Sequence, residues 1–98
     1  MKIEWHPSAR SDLIELVTYI AADSPQAAYR VHDAIRKRIG ILAKHPEAGR
    51  LGRVAGTREL VIANTPYIAA YRVTADAVTI LRVLHGARRW PRSLGTGA

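Results

Sequence analysis

The densest set of side chains able to act on a charged group lies near the C-terminal end: Arg82, His85, Arg88 and Arg89. Arg72 stands on the preceding apolar segment, and Arg58 and Arg53 lie just upstream of it. Guanidinium groups grip phosphate or carboxylate through paired hydrogen bonds and stabilise charge that develops in a transition state. His85 is the one histidine of this set, and imidazole is the usual side chain for moving a proton near neutral pH. Two uses fit such a set: holding a scissile phosphate, or docking an acidic partner. Trp90, Tyr67 and Tyr71 add rings that stack on bases or close a core that contains no phenylalanine.

Other chemistries find little support. The chain has no cysteine, and His6, His32 and His45 fall at no metal-ligand spacing, so no metal site is expected. Neither glycine-rich phosphate loop occurs, so no nucleotide cofactor is expected. Asp12 and Glu15 read as residues near a helix start, favoured by its dipole, and Glu47 and Glu59 are separated by a loop. The 15 Lys+Arg residues outnumber 8 Asp+Glu, for a net charge of +7 over 98 residues. The excess is uneven: residues 1–43 carry +1 and residues 44–98 carry +6. That half is expected to face an anionic partner, nucleic acid or acidic protein. With 48% hydrophobic residues, the length suits one packed domain over 1–98. No apolar run approaches the ~18–20 residues of a membrane span. Lys2 is followed by Glu4, Trp5 and Pro7 where a secretory signal would be apolar. A cytoplasmic protein without membrane contact is the expectation.

The elements that must position these residues follow from periodicity. Lys2 to Trp5 form a short strand. Ala9, Leu13, Leu16, Val17 and Ile20 recur at helical spacing, predicting a helix over 8–22 capped by Ser8. Ser24 caps a second helix with Pro25 at its first position, and Ala28, Val31, Ile35, Ile39 and Leu42 carry its stripe over 25–44. So short a link forces an antiparallel helical hairpin. A loop over 46–56 holds three glycines with Arg50 and Arg53. Three strands over 58–63, 67–74 and 78–85 follow, with turns short enough to make an antiparallel meander. The fold class is thus α+β, two-layered, with the helices on one face of a small sheet. Alternation puts Ile80, Arg82 and Leu84 on one side of the last strand and Leu81, Val83 and His85 on the other. Both sides carry apolar residues, so the outer face should be covered by a partner or curl into a concave site. The ordered part is expected to span about 2–91, with the tail over 92–98 fraying.

Three segments resemble one family: Arg58 to Ile62, Pro66 to Val73, and Ile80 to Pro91 with its His-Gly-Ala-Arg run. Together with residues 5–13 and the Lys-His-Pro-Glu-Ala-Gly loop at 44–49, they are similar to the RelE/ParE superfamily of toxins from bacterial type II toxin–antitoxin modules. The resemblance covers about residues 3–91 and implies the same strand, hairpin and meander. RelE-like members cut mRNA on the ribosome with basic residues of the sheet, whereas ParE-like members poison DNA gyrase. The RelE-like pattern places lysines where this chain has Glu59 and Val61, and an arginine where it has Ile68; Arg88 keeps the basic position beyond the last strand. The resemblance therefore implies a gyrase poison without catalysis of its own. The alternatives are a ribosome-dependent mRNA endonuclease using Arg82, His85 and Arg88, or a non-toxic module member that only binds its antitoxin. The implied partner is a small acidic antitoxin, partly disordered when free, in a heterotetramer or beside a toxin homodimer. Arg53, Arg58, Arg72, Arg82, Arg88, Arg89 and Trp90 form the candidate contact set, and no cofactor is implied.

Overall fold

The computed structural model describes residues 1–94. Strand β1 (Lys2–Trp5) leads into helices α1 (Pro7–Asp23) and α2 (Pro25–Gly40), a 3-10 turn over Ile41–Ala43, and four further strands. These are β2 (Arg50–Leu51), β3 (Arg58–Val61), β4 (Tyr67–Val73) and β5 (Ala77–His85), in the sheet order β1-β5-β4-β3-β2. The meander β3-β4-β5 is antiparallel as expected, and β1 joins β5 in parallel, Ile3 opposite Val78.

Local chemistry sets the helix ends. The Ser8 N–H donates to His6 Nδ1 at 3.0 Å, so His6 and not Ser8 caps α1, and the helix starts at Pro7. Ser24 serves both helices: its N–H donates to Ile20 O at 2.8 Å, and its hydroxyl accepts from Ala27 N–H at 3.2 Å. One residue therefore ends α1 and begins α2, which is why the hairpin is so tight.

The helices cover one face of the sheet. Leu13 and Leu16 of α1 and Ile35 and Ile39 of α2 pack with Leu42, Leu60, Ile62, Ala69, Tyr71, Val78, Ile80 and Val83. Expected strict alternation along β5 fails at one point. Ala70 pairs with Arg82 but Tyr71 pairs with Ile80, so Leu81 is an extra residue in the strand. This bulge reverses the later side chains. Val83 joins Ile80 under the helices, whereas Leu84 joins Leu81 on the far face.

The chain itself covers that far face, so the expected partner or curled edge is not what closes it. Val54 from the 52–57 loop, Trp90 and Leu94 pack on Ala70, Leu81 and Leu84. Leu94 is buried, so packing continues past the predicted limit at 91. The remaining part of the expected fraying tail, 95–98, lies outside the described residues. The 46–57 loop is pinned from beneath. The buried Tyr71 hydroxyl accepts from Gly49 N–H at 2.8 Å and donates to Pro46 O at 2.7 Å. A Cβ at Gly49 would sit 2.7 Å from the Tyr71 hydroxyl, so only glycine allows this approach. Strand β2, which the sequence did not suggest, forms because this anchored loop brings Arg50 opposite Glu59. Among the described residues no helix is long and apolar enough to cross a membrane.

Candidate functional site: a cleft between α1 and the end of β5

A cleft of about 370 Å³ opens where α1 passes the last turn of β5. Asp12, Glu15 and Tyr19 form its helical wall, Tyr67, Val83 and His85 its floor, and Arg88, Arg89 and Trp90 its opposite wall. Asp12, Glu15 and Tyr19 are spaced by three and four residues, which places them on one side of α1. The structure thus brings Arg82, His85, Arg88, Arg89 and Trp90 together as the sequence suggested. It places Arg58 and Arg72 elsewhere, in the strand pairs Arg58–Tyr71 and Arg72–Thr79, and Arg53 meets the group at Trp90.

Arg82 is committed within the fold. Its Nε and Nη2 donate to Asp12 Oδ2 and Oδ1 at 2.7 and 2.9 Å, and Val83 N–H donates to the same Oδ2 at 3.0 Å. Asp12 therefore lies past the first helical turn and acts as an ion-pair partner, a correction to its reading as a helix-start residue. The hydrogen bonds to Asp12 raise the Arg82 pKa further above its ordinary value, although burial opposes this. The guanidinium stays charged, and the carboxylate cancels its charge locally.

His85 closes β5. Its Nδ1 accepts from Ala87 N–H at 3.2 Å, so a neutral ring carries its proton on Nε2. The ring meets Tyr67 edge-on, with centroids 5.9 Å apart. The turn that follows is held by two donors to one carbonyl, Arg88 N–H and Trp90 Nε1–H to His85 O, each at 3.2 Å. Arg88 and Arg89 are exposed, and among the described residues neither has an ion-pair partner.

On the far face, Arg53 lies 3.7 Å over the Trp90 ring. The same arginine binds Glu59 through Nε at 3.0 Å, Nη2 at 3.2 Å and its backbone N–H at 2.8 Å, while Arg50 adds a bond at 3.2 Å. Glu59 is only 3% exposed. Burial alone would raise its pKa, but the donors from Arg53 and Arg50 outweigh it and the carboxyl lies below its usual range. Arg58 Nη1 donates to Gly49 O at 2.8 Å. Sequence reading missed the roles of Glu15 and Tyr19 in the cleft, and their spacing from Asp12 was the available signal. Among the described residues no group of three His, Asp or Glu side chains could hold a metal ion.

A strand, a helical hairpin and an antiparallel meander, with a basic turn beside a cleft at the end of the last strand, define a RelE/ParE-type toxin. A family described as ParE toxin of type II toxin–antitoxin system, parDE, matches residues 3–90. The chain is 44% identical over 93 residues to "Putative toxin Y4kP" of Sinorhizobium fredii, covering 95% of this chain and 96% of that protein. It is 38% identical to "Toxin RelE2" of Caulobacter vibrioides, covering 89% of this chain and 97% of that one. A solved chain titled "Chromosomal ParDE TA system from P. aeruginosa" superposes with a TM-score of 0.75 at 28% identity, over 85% of this chain and 92% of that one. The protein belongs to the ParE toxin family of type II toxin–antitoxin systems. Its partner is accordingly an antitoxin.

Proposed function

We propose that the protein inhibits growth by trapping DNA gyrase on cleaved DNA, without chemistry of its own, and that an acidic antitoxin neutralises it in the cytoplasm. The observation that carries this reading is the state of Arg82. Stabilising a phosphorane requires cations whose charge is directed at the phosphate. The Nε–Nη2 edge of Arg82 is instead taken by Asp12, whose carboxylate offsets the guanidinium charge at the cleft. The position on β3 where RelE-like members carry a base holds Glu59, buried beneath two arginines of its own chain. What remains is an exposed Arg88–Arg89 pair on a pinned turn, which suits recognition of an anionic surface.

A second reading, ribosome-dependent cleavage of mRNA, is favoured by one feature. His85 shares the cleft with Arg88, and its Nε2 is not used by the Ala87 bond. Incubating the purified chain with gyrase, ATP and supercoiled plasmid separates the two. Linear DNA that requires both proteins is the expected result. Intact plasmid, beside a gyrase control that responds to a known poison, overturns the gyrase reading, and mRNA cleavage on ribosomes lost in His85→Ala would replace it.

A further inference from the structure

The sequence counts Arg53 and Trp90 among residues that touch a target, but the geometry gives them a different task. We propose that Arg53 and Trp90 form a positioning pair, anchored on the buried carboxylate of Glu59, that holds the Arg88–Arg89 turn at the cleft for recognition of the target. The proposal rests on the reading of that cleft as the target-facing surface.

The chain of contacts is continuous. Glu59, central in the far face, takes four hydrogen bonds, three from Arg53 and one from Arg50. These fix the plane of the Arg53 guanidinium, which then lies flat enough over Trp90 to approach within 3.7 Å of its ring centre. The indole N–H in turn donates to His85 O, the carbonyl that also receives Arg88 N–H. Leu94 closes the segment against Ala70 and Leu81. Arg88 and Arg89 themselves contribute no side-chain bond to this arrangement among the described residues. Their placement is therefore imposed from behind, by Arg53 outside the cleft acting through Trp90 in its wall. A flat cation is required for the stack, which a lysine cannot supply although it can still pair with Glu59.

The full chain and three variants, Trp90→Ala, Trp90→Phe and Arg53→Lys, test the pair by two readouts. The first is limited trypsin digestion, which reports how firmly the turn is held through cleavage after Arg88, Arg89 and Arg92. Trp90→Ala and Arg53→Lys should accelerate those cuts at least tenfold while cuts within α1 and α2 keep their wild-type rate. Trp90→Phe retains a ring for the Arg53 stack but loses the donor to His85 O, and should restore only part of the protection. The second readout is linear DNA formed with gyrase, which should fall at least tenfold in the two accelerated variants and recover in part in Trp90→Phe. Wild-type digestion rates in Trp90→Ala and Arg53→Lys overturn the positioning pair, as does wild-type gyrase activity from a turn shown to be loosened. If the wild-type chain yields no linear DNA, the gyrase reading fails, and the digestion rates alone decide the pair.

Discussion

The two faces of the sheet are closed by different means. Under the helices, thirteen buried residues from both helices, the 3-10 turn and the β3-β4-β5 meander interlock, with Ile35, Leu42 and Ile80 fully buried. On the far face only Ala70, Leu81 and Leu94 are buried as a cluster, and the cover is a loop and the C-terminal segment. There the closure depends on a buried carboxylate, two arginines and one indole. The first face gives the molecule its stability and the second carries the basic turn. A surface built from a few directional contacts can be altered locally without unfolding the rest, which suits the recognition role proposed for the basic turn.

The largest effect should come from the helix face. Ile35→Ala removes a fully buried side chain between α2 and the sheet, and should cost about 2–5 kcal/mol in denaturant unfolding. Leu94→Ala, on the far face, should cost less than half of that, because the segment can lift while the helical core stays closed. Equal losses at the two sites would erase the distinction between the faces.

Asp12 ties α1 to β5, and its removal should rank next. Arg82 would keep its charge at a site where its side chain is 25% exposed, and Val83 N–H would lose its acceptor. A cost of about 2–3 kcal/mol is expected for Asp12→Ala, given that water reaches part of the site. The double variant Asp12→Ala/Arg82→Ala should be less destabilised than the sum of the single variants. Additive losses would mean that the pair is not coupled and that Asp12 does not hold Arg82 in place.

Most of this architecture was legible in the sequence, and the exceptions share a cause. The stripes through Leu13 and Leu16 and through Ile35 and Ile39, with Ser24-Pro25 between them, specified the hairpin because helical periodicity repeats over several turns. The three meander strands were equally plain. The bulge at Leu81 was not, because an extra apolar residue in an apolar strand leaves no mark in composition. Strand β2 has two residues and therefore no period to read. His6 acts as a cap through imidazole, where the adjacent serine was the more usual candidate. The cluster Arg82, His85, Arg88, Arg89 and Trp90 was visible because one strand end and one turn hold all five. Its restraint by Asp12 was hidden, since the partner lies 70 residues away. Leu94, alone among small and polar neighbours, gave no sign that it would be buried.

The smallest effect is also the most selective for the far face, and it concerns acid. The folded-state pKa of Glu59 lies below its ordinary value of 4.5, as the donors from Arg53 and Arg50 outweigh the effect of burial. Its contribution is therefore complete above about pH 4.5 and is lost as pH falls through the lowered folded value. Glu59→Gln removes the charge at every pH while leaving two arginines that are 42% and 57% exposed and can be hydrated. A loss of about 1 kcal/mol at pH 7 is expected, shrinking toward zero as the wild-type carboxyl becomes protonated. The other carboxyl groups are common to both proteins, so the difference between the two melting curves isolates Glu59. In a Trp5→Phe background, Trp90 emission reports the far face directly, and its acid transition should be present in wild type and absent in Glu59→Gln. A stability gap that stays constant from pH 7 to pH 3 would show that the carboxylate charge does not hold the arginines, and that apolar packing alone closes both faces.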